Sequence, residues 1–127
     1  METITLVTEI AASGADTRYV PVPYRGTVHS VRASCDQIMV ADKTIIVSRG
    51  ASAVNTATAD DEAAGAILDG TPDTTNKDLV FDPDSDTAAN RVLKIVVLDA
   101  FTGSDGTLTL RIEYDESAYI EQEASEA

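Results

Sequence analysis

The strongest constraint on the fold is the alternation in Thr107-Leu108-Thr109-Leu110-Arg111-Ile112-Glu113-Tyr114. Side chains along a strand point to opposite faces in turn, so this run puts Leu108, Leu110, Ile112 and Tyr114 on one side and Thr107, Thr109, Arg111 and Glu113 on the other. A half-buried strand with a wet outer face is predicted. Just upstream, Arg91 to Leu98 is dominated by aliphatic and β-branched residues, which predicts a central strand packed on both faces. The intervening Asp99 to Gly106 contains Gly103 and Asp105-Gly106, which accept the positive φ of a chain reversal. The two strands are therefore expected to pair as an antiparallel hairpin. Such a pair is unstable alone in water, so the rest of the chain must supply an opposing layer.

Upstream segments repeat the theme of short strands. Glu2 to Thr8 alternates, with Ile4 and Leu6 on one side, and Ala11 to Asp16 breaks it with turn-forming residues. Arg18-Tyr19-Val20-Pro21-Val22-Pro23-Tyr24 must be extended, because each proline fixes its own φ and biases its predecessor. With two amide donors missing, it belongs on a sheet edge. Gly26 to Ser34 reads as a strand in which Val28 and Val31 fall out of phase, and a bulge near Ser30 would realign them. Gln37 to Val40 and Lys43 to Arg49 form a second pair of apolar runs, with Ile45 and Val47 opposite Ile46 and Gly50 as the stop.

One helix is expected at most. Asp60 to Leu68 has acids at its start and Ala63, Ala64, Ile67 and Leu68 as an apolar side, although Gly65 limits it to a turn or two. Asp78 to Phe81 reads as a short strand and Asp82 to Asn90 as a polar loop. Many short strands with little helix predict an all-β fold, an antiparallel β-sandwich of jelly-roll type. Its expected core contains Val28, Ile45, Val47, Phe81, Ile95, Val97, Leu108, Leu110 and Ile112. The 127 residues suit one domain, expected over 1–116, followed by an acidic tail over 117–127.

Charge narrows the partners. Nine basic residues against 22 acidic ones give a net charge of −13, which opposes attraction to nucleic acid and to anionic membranes. No apolar run approaches the length of a membrane span, and the amino terminus lacks the basic and apolar regions of a signal peptide. The single cysteine, Cys35, excludes an intramolecular disulfide and reads as a small buried thiol.

Sites of chemistry are sparse. His29 is the only histidine, so any serine or cysteine triad would need it, yet no nucleophile-elbow pattern accompanies it. A strand-surface or interface histidine is expected. Cysteine and histidine spacings for zinc are missing. Asp82-Pro83-Asp84-Ser85-Asp86 opens like a calcium loop, but Thr87 replaces the turn glycine and Leu93 the closing glutamate. No catalysis, metal or cofactor is expected.

Val20-Pro21-Val22-Pro23-Tyr24 running into Gly26-Thr27-Val28, then Ala63-Ala64-Gly65-Ala66-Ile67 ahead of Thr71-Pro72, then the amphipathic last strand, resemble small virion proteins of tailed bacteriophages. Many of these are capsid decoration, or cement, proteins with jelly-roll-like folds. The likeness spans about Val20 to Tyr114. It implies a homo-oligomer, a trimer ahead of a dimer, made in the host cytoplasm and docked on the major capsid protein at the outer surface of the virion head. A receptor- or glycan-binding module of a head or tail fibre is the alternative. Expected assembly contacts are Ile4 and Leu6 on the first strand, Tyr19, Val20, Val22 and Tyr24 on the proline-marked edge, and Tyr119 with Ile120 in the tail, because exposed edges accept partner strands.

Overall fold

The computed structural model describes residues 2–11, 15–98, 101–102 and 105–116. The fold is all-β, built from β1 (Glu2–Ile10), β2 (Asp16–Pro21), β3 (Thr27–Cys35), β4 (Thr44–Arg49), β5 (Ser52–Thr58), β6 (Leu68–Asp69), β7 (Thr71–Pro72), β8 (Val92–Val97) and β9 (Gly106–Asp115). Among the described residues the only helical element is a 3₁₀ turn, Ala88–Arg91. No described helix is long and apolar enough to cross a membrane.

Two antiparallel sheets face each other, one ordered β1-β9-β3-β6 and the other β2-β8-β4-β5-β7. The pairs β1 with β9, β2 with β8, β3 with β6 and β4 with β5 are nested along the chain. That is one long antiparallel hairpin rolled so that its halves interleave, the connectivity of a jelly roll. All nine expected core residues are buried, Val28 at 8% exposure being the most open. Alternation in β9 holds throughout: Leu108, Leu110, Ile112 and Tyr114 are each 0% exposed. Ile45 and Val47 point inward while Ile46 is half-buried on the far side. The register of β3 against β9 shifts between Val28 and Ser30, the expected bulge.

Several local expectations are corrected. The strands over 92–97 and 106–115 exist, but they do not form a hairpin; β8 lies in one sheet and β9 in the other. β8 and β9 therefore lie in opposite layers, which a tight hairpin turn does not join. β8 is central as expected, flanked by β2 and β4, yet only one of its faces is fully dry, with Leu93, Ile95 and Val97 buried and Val92, Lys94 and Val96 half-buried.

The expected helix over 60–68 is replaced by irregular chain ending in β6. Asp61 and Gly65 take φ of 55° and 84°, outside the right-handed helical region, and the backbone of Met39 bridges Glu62. Tertiary pairing overrides a weak, glycine-interrupted helical propensity there. Gln37 to Val40 contributes only that Met39 bridge, and Asp78 to Phe81 only a bridge between Phe81 and Gly26. The partner of β4 is β5, which the sequence reading did not anticipate.

Candidate functional site

The two outer sheet faces differ in charge. On the five-stranded sheet the register aligns Thr17, Val96, Ile46, Thr56 and Thr71 into one row across all five strands. A neighbouring row carries Tyr19 against Lys94, and Pro21 pairs with Val92. Lys94 is the only charged residue on these rows, in a chain with 31 charged side chains (9 + 22). Val92, Val96 and Ile46 are half-buried there, and Tyr19 is 62% exposed. Depletion of charge around aromatic and aliphatic groups is what distinguishes the centre of a protein interface from ordinary surface.

The four-stranded sheet presents the opposite character. Its central row runs Thr5, Arg111, Arg32 and Asp69. Arg32 pairs with Asp69 at 3.0 Å, and Arg111 reaches Glu113 only at 4.0 Å. Glu113 is held instead by the Thr3 hydroxyl, which donates to both of its carboxylate oxygens at 3.0 Å. Beside this row is an open recess of about 550 Å³ lined by His29, Arg32, Asp69, Arg111 and Glu113 among others. His29 is therefore an exposed strand histidine, as expected.

The expected assembly contacts divide. Tyr19 is exposed on the charge-poor face. Ile4 and Leu6 sit half-buried on the inner side of β1 opposite Ile112 and Leu110, and Val20 is half-buried opposite Leu93. Val22 does not belong with them. It is 4% exposed in the core, and its backbone N–H donates to the Arg91 carbonyl at 3.2 Å. Past Pro21 the chain turns inward, so the edge position inferred from the prolines applies to β2 but not to Val22.

Tyr24 is likewise committed within the chain. Its ring lies 5.2 Å from that of Tyr114. The Tyr114 hydroxyl donates to the Tyr24 carbonyl at 2.8 Å, and the Tyr24 hydroxyl donates back to the Tyr114 carbonyl at 3.3 Å. Burial pushes the Tyr114 phenol well above its ordinary value, with Tyr24 and Asp82 adding to the shift. Tyr119 and Ile120 lie outside the described residues.

Chemically reactive groups are quiet where they are described. Cys35 is buried, and burial is the main cause pushing its thiol upward, away from the thiolate a nucleophile needs. Asp82 caps its own turn, accepting from the Asp84 N–H at 2.9 Å, while its other carboxylate oxygen faces Arg25 at 3.9 Å. Among the described residues no group of three or more histidine, cysteine, aspartate or glutamate side chains is placed to hold a metal ion.

No family model matches the sequence, and neither the curated proteins nor the solved structures provide a match.

Proposed function

We propose that this chain is a virion structural protein of the decoration type, which binds the outer surface of a phage head and reinforces it without doing chemistry. Its partners are the major capsid protein and further copies of itself. It is made in the host cytoplasm and ends on the capsid surface. The observation that carries this reading is the charge-poor outer face of the five-stranded sheet on a chain of net charge −13. A subunit that stays soluble before assembly and then docks on a preformed lattice needs a repulsive body and one patch free of that repulsion. Repeated over a shell, modest contacts add through avidity. The jelly-roll architecture and the resemblance over Val20 to Tyr114 agree with it.

The polar recess beside Arg32 and Arg111 favours the second reading, a fibre module that recognises a host glycan or protein, since it offers charged donors and acceptors on an open face. Binding of the purified protein to undecorated heads of the phage that encodes it separates the two. Sedimented heads should retain the protein to saturation, and Tyr19→Glu should abolish retention while leaving the fold intact. Non-saturable binding, or equal retention of both chains, would refute the docking face.

A further inference from the structure

A sheet edge with unpaired backbone groups invites another strand, and natural proteins blunt such edges with charge, proline or brevity. Among the described residues, three of the four edges are blunted in that way. β6 and β7 have two residues each, β7 ending in Pro72, and β2 carries Asp16, Arg18 and Pro21. β1 is different. It is nine residues long, forms the free edge of its sheet among the described residues, and reads Thr3-Ile4-Thr5-Leu6-Val7-Thr8 without charge, proline or glycine between Glu2 and Glu9.

We infer that β1 is a self-association edge, pairing antiparallel with β1 of a second copy about a twofold axis at Leu6. This rests on the edges alone and not on the virion reading. The register selects the occupant. Centring on Leu6 pairs all nine residues, with Thr5 opposite Val7 and Ile4 opposite Thr8 of the other copy. Inward-facing residues then meet inward-facing ones, and the two four-stranded sheets become one continuous sheet. Glu9 falls opposite Thr3 and Glu2 opposite Ile10, so no acid faces an acid. Centring on Thr5 or Val7 instead keeps like faces together but pairs only seven of the nine residues, so the Leu6 register makes the longest ladder.

Ile4 and Leu6, only half-buried in the single chain, are covered by the added strand. The net charge opposes any pairing of copies, but the six-residue centre carries none of it, and charges beyond about 8 Å are screened at physiological salt. About 30 Å of edge makes a smaller interface than the standard of about 1,600 Å², the size class of weak, transient association. Because the pairing consumes the same edge on both copies, it closes at two. The resemblance by itself puts a trimer ahead of a dimer.

The test is sedimentation equilibrium of the full chain from about 1 µM to about 500 µM, spanning the affinity expected of a small interface. The wild type should shift from monomer to dimer. Val7 is 62% exposed, so Val7→Lys leaves the core untouched. It places two lysines on diagonal positions across the axis and should weaken the dimer by about tenfold or more. Thr5→Glu alone should weaken it too, and the double variant should restore it, because the lysine introduced on one copy then faces the glutamate introduced on the other. Rescue is specific to this register. A trimer, a dimer indifferent to Val7→Lys, or a double variant no better than the singles would overturn the inference. So would a monomer at every concentration, including one whose β1 amides resist hydrogen exchange because the same chain's residues 117–127 cover the edge.

Discussion

Replacing Ile112 by alanine tests the sandwich at its centre. Ile112 is 0% exposed on β9, with Ile4 of β1 and Val31 of β3 beside it in register. The substitution removes three carbons, worth about 0.8 kcal/mol each when buried, or about 2.4 kcal/mol in all. The void adds to this: about 60–80 Å³ left unrelaxed costs about 1.5–2 kcal/mol at about 24 cal/mol per Å³. Because Ile4 is only half-buried at the sheet edge, that side can partly collapse, and the expected loss is about 2.5–4 kcal/mol. Urea unfolding should show a lower midpoint with an unchanged slope. Val7→Ala, on the wet side of β1, should shift stability by less than about 0.5 kcal/mol. A loss at Ile112 as small as the one at Val7 would mean that the face assigned to the core is wrong.

Three further outcomes follow from particular contacts. Tyr114→Phe should cost about 1–3 kcal/mol by leaving the Tyr24 carbonyl without its best donor. The folded-state phenol is raised above its unfolded value, so the stability it contributes is complete below about pH 10 and lost as pH rises beyond that. Thermal melts between neutral and strongly alkaline pH should therefore fall less steeply for the phenylalanine variant. Gly70→Ala should destabilise by about 1–3 kcal/mol, since its Cβ would run into the Asn55 side-chain oxygen in the space between the sheets; unchanged unfolding would mean that this close approach is absent in solution. Val22→Ala should lower the melting temperature and Tyr19→Ala should leave it unchanged, because one side chain is in the core and the other on the surface; the reverse order would restore Val22 as a contact residue.

Faces were legible from the sequence and partners were not. A period of two reports which side chains are dry, and it located β9, β8, β4 and the bulge in β3. It carries no information on which sheet a strand joins, and nested pairing puts β1 against β9, at opposite ends of the described chain. Adjacent strands therefore looked like a hairpin when they belong to opposite layers. β5 escaped notice because Ser52-Ala53-Val54-Asn55-Thr56-Ala57-Thr58 is small and polar, with Val54, Asn55 and Ala57 buried. Its available signal was Gly50, at a φ of 60°, which turns the chain back rather than merely ending β4. The charge-poor face was invisible for a related reason: Thr17, Val96, Ile46, Thr56 and Thr71 are scattered in sequence and meet only through register.

The most direct measurement of the decoration reading is the copy number of this protein in purified virions, from a quantitative gel calibrated on the major capsid protein. Hundreds of copies per particle are predicted, in fixed proportion to the shell. A band that is absent, or present in a few to tens of copies as a fibre component would be, contradicts it.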